Sequence, residues 1–360
     1  LISIIPSSAS VSIVKFISSA RNSEIYSTYK VINNMIVKLA LILSIFMATS
    51  SPFIAKFLHI NNILSVFLIT PILYISLLTL VNQSTSQGLL KFIGSVTPTL
   101  LSATLKLLIG VAFVLIGWSI SGAMLAITIG LLVAYLYSHK YIKKHIKITK
   151  LLKVDIKPFL KYSEPVIIQS LAFTSIFTTD VLLVKHFLSP FDAGLYAALS
   201  TLGKIIFFAA SPVAAAMFPV IAKRKSLNQN YTKIFLISFV ITFLIAGSAA
   251  LIFWLFPDLT IGLLYGNKYL SARTDLVWMG IFMFFYTLSN LLVNFYLSVG
   301  NTKIIFIPFT AALIQAITIW FNHDSITEVI HVSWIVTALM FVCLSIYTGY
   351  NLKYETKENL

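Results

Sequence analysis

The sequence predicts an all-α polytopic membrane protein of two parallel six-helix lobes, with about eleven spans in this chain. Three observations carry that expectation. Hydrophobic residues make up 58% of the 360 positions and charged residues only 10%, with a mean hydropathy of +0.94, which no soluble globule of this length matches. Eleven apolar runs are each long enough to cross a bilayer. The basic residues alternate along the chain: one set of connections holds 18 Lys and Arg, the intervening set 3.

The runs are bounded by charges, Pro or Gly. In order they are Ile4 to Ala20, Met35 to Ala55, Ile63 to Val81, Ile93 to Ile116, Ser119 to Tyr137 and Phe159 to Val184. Leu195 to Phe218, Ile234 to Phe256, Leu276 to Val299, Ile304 to Trp320 and Ile330 to Tyr350 follow. Loops of a few residues between them imply antiparallel hairpins in bundles, since only helices satisfy the backbone inside lipid. The first run begins at Leu1 with no basic segment or cleavage site before it and reads as a helix entered midway. Against the six helices of the second lobe, the first is expected to lack its first helix and part of its second, roughly 50 residues at about 20 per span, so that residues 1–360 are expected not to transport alone.

Basic residues favour the cytoplasmic side of a membrane. The asymmetry thus predicts a multi-pass protein in which the basic connections and the C-terminus are cytoplasmic. Trp118, Trp254, Trp278, Trp320 and Trp334 all fall near the outer loops, as an interfacial aromatic belt would. The predicted organisation is an N-terminal lobe over 1–138, a basic cytoplasmic linker over 139–158, a C-terminal lobe over 159–350 and a tail over 351–360. The stretch from His139 to Lys161 carries Lys140, Lys143, Lys144, Lys147, Lys150, Lys153 and Lys157 and is expected to rest on anionic lipid headgroups. The net charge of +15 does not indicate nucleic acid, because no continuous basic face or aromatic binding motif accompanies it. The single cysteine, Cys343, excludes a disulfide, and the six histidines have no metal-ligand spacing. No glycine-rich phosphate loop is present to use ATP. The expectation is no catalytic residue, no metal and no cofactor, with H+ or Na+ open as a coupling ion.

The halves resemble each other. Leu80-Val81-Asn82, Gly88 and Lys91 recur as Leu292-Val293-Asn294, Gly300 and Lys303, each 212 positions later. Both copies have one orientation, so the implied symmetry axis lies along the membrane normal, as in transporters with parallel repeats.

Two stretches carry a family resemblance. Phe159-Leu160-Lys161-Tyr162-Ser163-Glu164-Pro165, Asp180 to Val184, Gly194 to Ala198 and Phe218-Pro219 form one. Gln87 to Phe92, Lys106-Leu107 and Gly117 to Ala123 form the other. Together they resemble the polysaccharide transporters, the Wzx-type O-antigen and capsule repeat-unit flippases of the multidrug/oligosaccharidyl-lipid/polysaccharide exporter superfamily. The resemblance implies transport of undecaprenyl-pyrophosphate-linked oligosaccharide to the outer leaflet. It implies as partners that lipid-linked sugar, membrane lipids, a polysaccharide polymerase and a chain-length regulator.

Such a substrate is an anion with a hydrated glycan and needs cations and a polar route through hydrocarbon. Intramembrane charges are costly and mark function. Lys204 shares a face with Ala197, Ser200, Ser211 and Ala215; Lys106 with Ser95, Thr99, Ser102 and Gly110; Lys15 with Ser8, Ser12 and Ser19. These three lysines, with Ser200, Asp180 and Gln169, are the candidate cavity residues. Asp180, within about 20° of Gln169 on a helical wheel, is a candidate gate or coupling-ion site, or else the partner of Lys185 or Lys204 in a structural salt bridge. Lys38 and Lys185, at helix ends, snorkel. Asn82 and Asn294 are expected to cap or cross-link helices. A multidrug/cation antiporter and a peptidoglycan-precursor flippase of the same superfamily are alternatives. A membrane glycan polymerase or acyltransferase is disfavoured, because the longest outer loop, 257–274, holds only Asp258, Lys268 and Arg273 as charged groups.

Overall fold

The computed structural model describes residues 4–57, 66–147, 151–152 and 154–358. Each of the eleven apolar runs forms a helix within its described residues. They are α1 (Ile4–Ser19), α2 (Ile25–Phe57), α3 (Ile69–Gly88), α4 (Phe92–Leu115), α5 (Ser119–His145), α6 (Lys157–Phe187), α7 (Pro190–Ser226) and α8 (Thr232–Leu255). The short α9 (Pro257–Tyr265), then α10 (Arg273–Val299), α11 (Phe306–Phe321) and α12 (Ile326–Glu358) complete the order. Nine helices among the described residues are long and apolar enough to span a membrane. The helix α3 is not among them, because its second half reads Asn82-Gln83-Ser84-Thr85-Ser86-Gln87. That half is nevertheless largely buried, so it is the centre of a bundle.

The chain divides into two compact units, one up to Lys161 and one from Tyr162 on. In the first, α3 packs against α1, α2, α4 and α5, and α4 pairs most extensively with α5. In the second, α10 packs against α7, α8 and α12, with α11 on α12. Each unit thus has one central helix, α3 or α10. Leu276, Met279, Phe282 and Met283 of α10 are all fully buried. The peripheral α4 buries only Gly94 and Pro98 and turns an apolar surface outward, as lipid contact requires.

The repeat is real in the backbone, but its register differs from the sequence pairing. The helix α10 ends in a left-handed Gly300 (φ 89°), with Gly300 N–H donating to Leu297 O at 3.0 Å and Asn301 N–H to Tyr296 O at 2.9 Å. The helix α3 ends with the same pair of bonds, Leu90 N–H to Gln87 O at 2.9 Å and Lys91 N–H to Ser86 O at 2.8 Å. Here the left-handed residue is Leu90 (φ 60°). Gly300 therefore corresponds to Leu90, 210 positions apart, and not to Gly88. Gly88 is glycine for another reason: a Cβ there would lie 2.9 Å from Ile17 of α1.

Local chemistry sets the α6–α7 hairpin. Ser189 caps α7 by accepting from Asp192 N–H at 3.2 Å, and its hydroxyl donates to Asp192 Oδ2 at 2.7 Å. Pro190 occupies the first turn, where no N–H partner is needed. The 37 residues of α7 extend about 55 Å, so its basic end, Lys223-Arg224-Lys225, projects well beyond a 30 Å hydrocarbon core. Gly203 lets α7 approach α10 closely, since a Cβ would lie 2.7 Å from Met279 Cγ.

Candidate functional site

The C-terminal unit holds a buried polar cluster built from four helices. Tyr196 on α7 donates its phenol hydrogen to Asp180 Oδ2 on α6 at 2.7 Å, and Val181 N–H donates to Asp180 Oδ1 at 2.8 Å. Ser333 on α12 stands beside the Tyr196 phenol. Gln315 on α11 donates to Ser333 Oγ at 3.0 Å and reaches Ile176 O of α6 at 3.5 Å. Asp180, Tyr196, Gln315 and Ser333 are each 0% exposed. The Gln315 Oε1 acceptor is buried with no hydrogen-bond partner. Counting from the helix ends, Asp180 lies seven residues before Phe187 and Tyr196 six after Pro190, so the hairpin brings them to one depth, about 10 Å in from its turn.

Lys204 follows two turns deeper on α7. Its Nζ sits 4.6 Å from the Phe177 ring centroid. That ring belongs to a cluster with Phe207 at 5.5 Å, Phe208 at 6.1 Å and Tyr286 at 5.4 Å, and Tyr286 is fixed by donating to Phe173 O at 3.1 Å. Neither Asp180 nor Lys204 forms an ion pair within the described residues. The structural salt bridge considered for Asp180 is therefore not made, and Lys204 is a half-buried cation held against aromatic faces. Thr201 and Ala197, beside it on α7, are exposed. Nearer the turn, Val181, Lys185, Ala193, Gly194 and Ala197 line a cavity of about 360 Å³, so Lys185 borders a cavity in addition to ending a span.

Two candidates are placed differently from the expectation. Ser200 is 1% exposed and its hydroxyl is buried without a partner; it faces the interior rather than an open face. Gln169 is buried and accepts only a 3.4 Å bond from Ser170. It shares a face with Asp180 but stands eleven residues, about 16 Å, along α6 from it, so the two do not form a gate pair.

The N-terminal unit presents its own lysines. Lys106 is exposed near the middle of α4, on the face of Thr99, which accepts from Gln83 Nε2 at 2.9 Å; the same amide donates to Ser95 O at 3.2 Å. Lys15 is half-buried on α1 next to buried Ser12, and its carbonyl accepts from Ser18 at 3.0 Å; the Ser8 side chain lies outside the described residues. Asn82 accepts from Tyr29 OH at 3.0 Å and donates to Ser138 Oγ at 3.2 Å, cross-linking α2, α3 and α5. Asn294 bonds only within α10, to Asn290. Sequence reasoning passed over Tyr196, Gln315 and Ser333. Gln315 is the one amide in the apolar α11 run and was a readable signal; Tyr196 and Ser333 look like ordinary span residues.

A family model described as polysaccharide biosynthesis protein matches residues 2–225. No curated protein matches the chain. Among solved structures, a point mutant of the Vibrio cholerae MATE transporter VcmN is similar at a TM-score of 0.83 and 12% identity, over 98% of this chain and 86% of that one. A multidrug resistance MATE family transporter of the MOP superfamily, in an outward-facing conformation, is similar at 0.77 and 14% identity, over 99% and 86%. A MATE transporter in complex with MaD5 gives 0.78 and 15%, over 99% and 86%. The fold is that of two-lobed MATE-like transporters, and the molecule is a multi-pass membrane protein. The match over more than half of its length shows that this chain belongs to the polysaccharide biosynthesis protein family.

Proposed function

We propose that the protein to which this chain belongs exports lipid-linked oligosaccharide, carrying undecaprenyl-pyrophosphate-linked repeat units from the cytoplasmic to the outer leaflet by alternating access. Family and fold are those of membrane transporters. One observation supports an anionic substrate above others: Lys204 is deep in an apolar helix, set against the Phe177 ring at 4.6 Å, and although it feels the charge of Asp180 it makes no direct ion pair among the described residues. A cation held at that depth without a direct ion pair is retained at a free-energy cost, which a pyrophosphate ligand would offset. The aromatic rings beside it suit the apolar faces of sugars or a polyprenyl chain, and Lys106, exposed on α4 of the N-terminal unit, is a separate candidate cation. The buried Asp180–Tyr196 pair, with the unpartnered Gln315 oxygen near it, is suited to exchanging a proton or Na+ with the transport cycle.

A second reading, export of organic cations, is favoured by the fold shared with multidrug MATE transporters. Lys204 argues against it, because an ammonium among the aromatic rings repels a cationic drug. The two separate in one strain set. A flippase-null strain complemented by the full-length protein should lose surface glycan with Lys204→Ala or Lys106→Ala at matched protein levels, while ethidium efflux stays at background. Normal glycan in both variants would overturn the proposal, and ethidium efflux raised by Lys204→Ala would favour the drug reading.

A further inference from the structure

The end of α5 and the segment after it sort apolar and basic side chains to opposite sides. Ile142, Ile146 and Phe159 are buried, Ile156 packs against the cluster formed by Ile13, Ile17, Ile36 and Leu77, and Phe159 meets Phe16 of α1 edge-on at 5.3 Å. Leu152 N–H donates to Ser27 Oγ of α2 at 2.9 Å. The segment is thus pinned to its own lobe and is not a free tether. Lys150 and Lys153 lie outside the described residues; Lys140, Lys143, Lys144, Lys147, Lys157 and Lys161 are all exposed.

Two further features single out a bilayer surface. Leu151 and Leu152, flanked by these lysines, are 53% and 44% exposed, an arrangement that water disfavours and an interfacial segment requires. The 27 residues of α5 measure about 40 Å against a core of about 30 Å, so its last turns reach the headgroup layer. There Tyr137, Tyr141 and His145 stack in a ladder, at 6.1 and 4.2 Å between centroids, and the Tyr141 ring rests on Gly94 of α4. Nearby Asp155 is engaged in accepting from Lys157 N–H at 3.0 Å, and none of the six lysines forms an ion pair within the described residues.

We propose that this surface is a binding site for anionic phospholipid headgroups, with Leu151 and Leu152 seated in the acyl boundary and the lysines on lipid phosphates. The positive-charge asymmetry puts it on the cytoplasmic leaflet, where anionic lipids attract basic segments. The inference is independent of what the protein transports.

The test uses the full chain with Leu151→Cys in a Cys343→Ser background, carrying an environment-sensitive dye, in nanodiscs of phosphatidylcholine with or without phosphatidylglycerol. Brominated phosphatidylglycerol should quench the dye at least about twofold more than brominated phosphatidylcholine at equal content, and 0.5 M salt should remove the difference, as roughly 4 Å screening predicts. Lys140→Gln, Lys143→Gln, Lys144→Gln and Lys147→Gln together should abolish the preference, while the four Arg replacements keep it. Equal quenching by both lipids, or an undiminished preference in the Gln variant, would overturn the proposal. Inorganic pyrophosphate added to detergent-solubilised protein should leave the dye unchanged; a response matching that of phosphatidylglycerol would mark a soluble-phosphate site and overturn the lipid assignment. Should the Gln variant fail to fold, the salt titration of the unsubstituted lysine surface decides by itself.

Discussion

Tyr196 and Asp180 share a 2.7 Å hydrogen bond across the α6–α7 hairpin, with both side chains withdrawn completely from solvent. The phenol and Val181 N–H together supply the carboxyl group's protein donors. Removing the phenol leaves a buried acceptor unmatched, whereas replacing the carboxyl by an amide keeps one of its two acceptor oxygens. Those two changes separate packing from coupling.

Tyr196→Phe is expected to destabilise the protein by about 1–3 kcal/mol, the penalty for stranding a buried polar group. Thermal unfolding in detergent measures it. An unchanged melting temperature would mean that the bond contributes nothing to folding.

Asp180→Asn keeps the size and one acceptor oxygen, which can still take the Tyr196 hydrogen, but puts an NH2 where Oδ1 accepts from Val181 N–H, so unfolding should shift by about 1 kcal/mol while ion-driven transport into proteoliposomes falls at least about tenfold. Imposing H+ and Na+ gradients separately identifies the ion. Wild-type transport by this variant under both gradients would reduce Asp180 to a packing residue.

Gly203→Ala places a methyl group 2.7 Å from Met279 Cγ. Overpacking of this kind costs about 1–3 kcal/mol, and Met279→Ala in the same chain should recover part of it by making room. A melting series of the two single variants and the double variant checks the coupling. Strictly additive losses would show that the α7–α10 approach does not depend on this pair.

Gln315→Leu removes a donor to Ser333 and also the unpartnered oxygen. Combined with Ser333→Ala, it converts both partners to apolar groups, which is nearly neutral for folding. The double variant should therefore unfold within about 1 kcal/mol of the parent yet lose coupling with the Asp180 variant. Intact gradient-driven transport would place the ion elsewhere.

Lys144→Cys, in a Cys343→Ser background, should resist an impermeant thiol reagent in intact cells, while Asn322→Cys should react. The reverse pattern would invert the topology inferred from the basic residues.

The helices were legible because their cause is local. Lipid leaves the backbone no choice but internal hydrogen bonding, so each apolar run from Ile4 to Tyr350 is a helix within its described residues. The alternation of basic loops and the existence of a repeat were legible for the same reason. The repeat's register was not, because Leu90 adopts the left-handed turn that sequence assigns to a glycine. Charged residues in spans stood out singly: Lys204, Lys106 and Asp180 were named from cost alone. Which polar groups meet depended on packing. Helical spacing paired Asp180 with Gln169 along one helix, whereas the hairpin turn at Ser189 and the close approach of α11 and α12 delivered Tyr196, Gln315 and Ser333 instead. A helical wheel contains the angle around one axis and nothing about the neighbours. Ser200 and Lys204, four residues apart on one face, show the consequence: one is sealed in the interior and the other lies against aromatic rings beside an open surface.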